Sequence, residues 1–196
     1  MLNVALAELG AHGEVSARAC DVADYEQVRG LFAHLKASLG GLDILVNNAG
    51  VGHFGRVDEL SIEAWRETID VNLSGTFYCC REAVPQMRER GGGFIVNIVS
   101  LAGKHPFAGG AAYNASKFGA NGFTEAIMAD LRDDKIRVCQ VMPGSVATEF
   151  RGGSTEGADW KLDPDEVGRT VAHIVSSPER NLISRVEMRP SRTRKK

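Results

Sequence analysis

The 196-residue chain has no CxxC pair, and no apolar run approaches the roughly 18 residues that a membrane helix needs. No basic segment precedes an apolar stretch in its first residues, MLNVALAELG. These absences point away from a membrane-spanning or exported protein. The four cysteines, Cys20, Cys79, Cys80 and Cys139, lie in apolar surroundings without metal-ligand spacing. Neither a zinc site nor a disulfide framework is expected, and they read as buried thiols in a reducing cytoplasm. Excess charge is missing too, with 23 Lys plus Arg against 25 Asp plus Glu. Five of the basic residues stand in the last eight, RPSRTRKK (189–196), so the body of the chain is acidic. Such a tail reads as a solvated terminus, and nucleic-acid binding is not expected.

What is present describes one soluble domain of 1–196 with enough apolar residues, 43%, for a full core. Its 22 glycines are scattered rather than gathered into a linker, and no internal repeat shows. Short β-branched runs, EVSARACDV, LDILVN, GFIVNIVS, IRVCQVMPG and ISRVEMRP, alternate with longer segments of helical period, so that Val15–Ala19 is expected as a strand. That alternation predicts an α/β fold, a parallel sheet with helices on both faces. LDILVN is apolar at successive positions, which predicts a central strand buried on both faces. One long helix is expected over Ile62–Met87 and another over Ala111–Leu131. Asp24 with Gln27, and Asp163 with Pro164 and Glu166, have the pattern of helix starts. Gly91–Gly93 has the pattern of a helix-to-strand turn.

Ligands bind at the carboxyl ends of parallel strands. Here those ends read Asn47-Asn48-Ala49-Gly50, Ser100, and Pro143-Gly144-Ser145, which places polar groups and close-approach glycines on one rim. Thirteen residues after Ser100, Tyr113 and Lys117 fall at i and i+4 on one helix face. A free tyrosine, with a pKa of about 10, is a poor acid or base at neutral pH; a neighbouring ammonium favours its phenolate. The pair then becomes a usable proton donor and acceptor, with Ser100 able to hold a carbonyl or alcohol oxygen.

VNNAG, VNLSG, the serine of IVNIVS, YNASK and PGSVAT occur in one order. From about Asp21 to the C-terminus the chain resembles the short-chain dehydrogenase/reductases. The resemblance implies an NAD(P)-dependent oxidoreductase, a homo-oligomer that interconverts a secondary alcohol and a ketone, with either NAD or NADP as cofactor. It implies that Tyr113 is the acid/base, that Lys117 lowers its pKa and binds the nicotinamide ribose, and that Ser100 orients the substrate oxygen. Asn72 would anchor a water in the proton relay. Asp21 and Val22 would contact the adenine, Asn48 and Gly50 line the cofactor groove, and Pro143, Gly144, Val146 and Thr148 lie beside the nicotinamide. Taken alone, Asp21 also reads as a turn cap, Val146 as core packing and Asn72 as a solvent-facing side chain.

The ending VEMRP resembles members that act on 3-hydroxy acids and 3-oxoacyl compounds. The family's TGxxxGxG fingerprint is absent from the sequence. The resemblance thus implies a Rossmann-like doubly wound sheet lacking its first two strand-helix units, with Val15–Ala19 left unpaired with Asp43–Asn47. The loop 101–110 and the segment Glu149–Trp160 would shape the pocket, and His53 and His105 could face it. The competing reading is a catalytically inactive fragment that keeps a dimerisation surface on the two long helices, where Ala112, Ala115, Ser116 and Gly119 would permit close packing.

Overall fold

The computed structural model describes residues 2–150 and 157–192. Its elements are α1 (Leu2–Gly10), α2 (Tyr25–Leu39), β1 (Ile44–Asn47), α3 (Ile62–Ile69), α4 (Gly75–Glu89), β2 (Gly93–Ile98), α5 (Ala111–Asp130), β3 (Ile136–Pro143), α6 (Pro164–Val175) and β4 (Arg185–Met188). The four strands form one parallel sheet in the order β1-β2-β3-β4. The register sets Asn47 beside Asn97, Ile98 beside Val141, and Pro143 beside Met188.

Side chains along β2 alternate between two cores, as the two-residue period of a strand requires. Ile95 packs with Val28 and Phe32 of α2 and with Cys80, Ala83 and Met87 of α4. Phe94 and Val96 join Cys139, Val141 and Ile174 of α6 on the opposite face. Each such side chain, fully buried, contributes about 1.5–3 kcal/mol of transfer free energy. The cysteines behave as small hydrophobes: all four are free, and desolvation raises the thiols of Cys79, Cys80 and Cys139 to about 11, 12 and 12.

The helix starts follow their sequence signals. Asp24 accepts hydrogen bonds from the N–H groups of Glu26 and Gln27, and Asp163 forms a reciprocal capping box with Glu166. The Gly91-Gly92 turn between α4 and β2 takes positive φ at both residues.

Three expectations are corrected. LDILVN is not a central strand: β1 lies at the sheet edge, with Ile44 and Val46 exposed, because among the described residues no strand pairs with its outer side. Val15–Ala19, strand-like in sequence, forms no strand and is exposed; as the resemblance implied, it makes no ladder with Asp43–Asn47. Ile62–Met87 is not one α-helix. A π-helical turn over Asp70–Ser74 separates α3 from α4, closed by the N–H of Gly75 donating to the carbonyl of Asp70. At Gly75 a Cβ would stand 2.9 Å from both Cγ2 and the carbonyl oxygen of Val22, so only glycine lets the 20–24 segment pack this closely.

Candidate active site

The polar residues at the strand ends meet at the carboxyl rim of the sheet, around a cavity of about 1310 Å³. Ser100 follows β2 and caps a short 3-10 turn, Leu101–Gly103. Its Oγ accepts from the N–H of Ala102 at 3.1 Å and donates to the carbonyl of Pro143 at 3.4 Å. Tyr113 stands in the first turn of α5, its ring 5.5 Å from that of Phe54 and 5.6 Å from that of Phe150. Lys117, one turn further, is 6% exposed, and its Nζ donates to the carbonyl of Ile98 at 3.1 Å. The same Nζ is 5.9 Å from the centre of the Tyr113 ring. Burial, which disfavours the ammonium, lowers its pKa from 10.5 to about 8.

Asn72 lies behind this wall. The π-helical turn carries it into the interior, where Oδ1 accepts from the N–H of Val51 at 2.8 Å. Its Nδ2 donates to the carbonyl of Val51 at 2.9 Å and to Oγ of Ser116 at 3.0 Å. The Ser116 hydroxyl donates in turn to the carbonyl of Tyr113. Both amide hydrogens of Asn72 are therefore engaged in tying the loop after β1 to the helix that carries Tyr113. Such π-helical turns are rare and frequent at functional sites. A Cβ on Gly50 would lie 3.4 Å from Oδ1 of Asn72 and 3.9 Å from Nζ of Lys117, which places both groups beside the β1 loop.

Of the residues singled out in the sequence, Ser100, Tyr113, Lys117, Asn48, Gly50, Pro143, Gly144, Val146 and Thr148 share the cavity wall. Asn72, Asp21 and Val22 do not line it. Asp21 is exposed and accepts from the N–H of Ala23, the turn-cap arrangement, while Val22 packs against the α2–α4 core. Val146 bridges to Leu162 and faces the cavity as well. His105 lines the cavity, whereas His53 pairs with Glu67 outside it. Residues 151–156 of the glycine-rich segment lie outside the described residues; Phe150 and Trp160, which flank them, both line the cavity.

The profile of the family described as short chain dehydrogenase matches residues 2–159. The chain belongs to the short-chain dehydrogenase family. It is 42% identical over 137 residues to trans-4-hydroxycyclohexanecarboxylate dehydrogenase of Sinomonas cyclohexanicum, covering 70% of this chain and 52% of the relative. It is 41% identical over 164 residues to a 3beta-hydroxysteroid dehydrogenase of Mediterraneibacter gnavus, covering 83% of this chain and 58% of the relative. The chain thus spans little more than half the length of these two enzymes. Among solved structures, a metagenomic short-chain oxidoreductase in complex with NADP superimposes with a TM-score of 0.84 at 34% identity, covering 98% of this chain and 81% of the other.

Sequence reading missed several parts of this short-chain dehydrogenase site. Lys161, Arg189 and Arg192 line the cavity but carry no motif, whereas Phe107 and Trp160 line it from the two segments expected to shape the pocket. Asn114 lies inside YNASK, yet its function is structural: Nδ2 donates to the carbonyl of Ala102 at 2.8 Å and Oδ1 accepts from the N–H of Phe107 at 3.3 Å. It clamps the loop that follows Ser100 against the start of α5. A short polar residue in the first turn of a helix, where it can reach the backbone of the preceding loop, is the signal that could have revealed it.

Proposed function

We propose that this chain is the substrate-binding and proton-transferring part of an NAD(P)-dependent oxidoreductase acting on a secondary alcohol or its ketone. The observation that carries this reading is the buried Lys117 ammonium beside the Tyr113 ring, on the same cavity wall as Ser100. In its charged form Lys117 favours the Tyr113 phenolate, so Tyr113 takes the hydroxyl proton on oxidation and returns it on reduction. Ser100 holds the same oxygen by hydrogen bond. Asn72 steadies the helix beneath Tyr113, and the second lone pair of its Oδ1 remains to hold a relay water.

Asn48, Gly50, Pro143, Gly144, Val146 and Thr148, with Lys117, fit the nicotinamide and ribose end of the cofactor. At Gly144 a Cβ would meet Leu101 at 3.1 Å and the carbonyl of Met188 at 3.3 Å, so glycine keeps this wall open. When bound, the nicotinamide supplies or accepts the hydride. The pyrophosphate is served less well. Among the described residues the one α-helix whose first residue lines the cavity, α6, begins with Pro164, which has no N–H, and is capped by the Asp163 carboxylate. Asp21 and Val22 are proposed to meet the adenine from the flank of the sheet.

Titration of the 196-residue chain with NADH and with NADPH, followed by Trp160 fluorescence, is expected to half-saturate at roughly 1 mM or above, because the most charged part of the cofactor lacks a helix N-terminus. Under millimolar cofactor, a panel of hydroxy acids and secondary alcohols should yield reduced nicotinamide. Saturation at micromolar cofactor would overturn the affinity expectation, and no turnover with any panel member would overturn the enzymatic one.

The same reading includes a homo-oligomer of cytoplasmic location. Phe77 on α4 and Phe118 on α5 are exposed, and Ala115 is exposed beside them, while Ala112, Ser116 and Gly119 pack within the chain. Exposed aromatics on adjoining helices suit a second copy. The double variant Phe77→Glu with Phe118→Glu should shift the mass measured by light scattering from dimer or tetramer to monomer; an unchanged mass, or a monomeric parent, would remove this part of the reading.

A further inference from the structure

The cavity wall has a marked charge bias. Lys117, Lys161, Arg189 and Arg192 line it, with His105, and among the described lining residues there is no aspartate or glutamate. Lys117 belongs to the proton-transfer pair. Arg189 differs from the others in how it is held. Its Nη2 donates to Nε2 of His105 at 3.0 Å and contacts Oε2 of Glu187 at 3.3 Å. Both contacts use one nitrogen, so Nε and Nη1 of the guanidinium keep their donors without a partner among the described residues. Glu187 is shared with Lys104, whose Nζ lies 2.6 Å from Oε1, so one carboxylate faces two cations and the cluster keeps a positive excess.

The position is as specific as the charge. His105 belongs to the loop that follows Ser100, its N–H donating to the carbonyl of Leu101. Arg189 directly follows Met188, whose carbonyl accepts from Gly144 at 2.8 Å, and Ser100 reaches the carbonyl of the preceding residue, Pro143. The Arg189–His105 contact therefore joins the two walls on the Ser100 side of the cavity, across the sheet from Asn48 and Gly50 on the β1 side.

We propose that Arg189, oriented by His105 and Glu187, anchors an anionic group at the substrate end of the cavity, and that the substrate is a hydroxy-carboxylate or the matching oxo-carboxylate. This rests on the oxidoreductase reading for the word substrate; the anchor itself rests on the geometry above. The uncommitted Nε and Nη1 donors of this guanidinium can each give a carboxylate a charge-assisted hydrogen bond, and such bonds are stronger than those between neutral groups. Arg189 is half exposed, so solvent screening limits the gain to about tenfold in affinity.

The test compares trans-4-hydroxycyclohexanecarboxylate with its neutral carboxamide, titrated into the 196-residue chain without cofactor and read by Trp160 fluorescence. The acid should bind about tenfold tighter than the amide. Arg189→Gln should bring the two within twofold while leaving amide affinity unchanged. Equal binding of acid and amide by the parent, or an undiminished preference in Arg189→Gln, would overturn the proposal. So would a third outcome, in which Arg189→Gln weakens ADP binding and not acid binding, since the cation would then serve the dinucleotide. Because no cofactor is present, failure of hydride transfer leaves this result standing, and failure of the anchor leaves hydride transfer standing.

Discussion

Replacing Tyr113 by Phe is expected to lower turnover by about 10²–10⁴-fold while leaving cofactor and substrate affinity within about twofold. The substitution removes one oxygen and keeps the ring that packs between Phe54 and Phe150. The loss would fall on the step in which a proton moves, because the phenol is the proposed donor and acceptor. Steady-state rates at saturating cofactor, with circular dichroism to confirm folding, check it. A variant that kept a tenth or more of the parent rate would mean that some other group moves the proton.

Replacing Lys117 by Met should have two opposite effects. Activity should fall by about 10²-fold or more, because the cation that favours the Tyr113 phenolate is gone. Stability at pH 7 should rise by about 2 kcal/mol, the cost of burying the ammonium less the lost hydrogen bond to Ile98. The sign follows from linkage. Lys117 has its folded pKa lowered to about 8 from 10.5, so below pH 8 it is charged in both states and the burial cost is fully present. Between pH 8 and 10.5 the folded protein releases the proton while the unfolded chain keeps it, and the parent gains stability with rising pH. The advantage of Lys117→Met should therefore be largest below pH 8 and fade towards pH 10.5. Urea unfolding midpoints across that range measure it; a variant less stable than the parent at pH 7 would show that the ammonium stabilises the fold.

Legibility in the sequence differed by kind of feature. The caps at Asp24 and Asp163 and the strands that became β2, β3 and β4 depend on local chemistry, and local chemistry is what a sequence displays. The sharing of one wall by Ser100, Tyr113 and Lys117 follows from strand-end positions and a four-residue helical spacing. The exposed edge position of β1 was hidden from its own composition, because an apolar strand looks the same whether or not a neighbour covers it, and only the missing strand-helix units pointed to it. The π-helical turn around Asn72 was hidden because one extra backbone residue per turn leaves no mark on hydrophobic period over five positions. Arg189 was hidden for a third reason: its partners, His105 and Glu187, come from separate segments that only the sheet brings together.

The measurement that tests the central claim most directly follows deuterium from the cofactor. Nicotinamide cofactor carrying deuterium at the transferable position of its reduced ring is supplied at millimolar concentration with an oxo-carboxylate, and the product alcohol is analysed by mass spectrometry. The parent chain should place deuterium on the carbinol carbon, and Tyr113→Phe should place about 10²-fold less in the same time. No deuterium in the product of the parent chain, or equal incorporation by Tyr113→Phe, would contradict the assignment of this site to hydride transfer assisted by Tyr113.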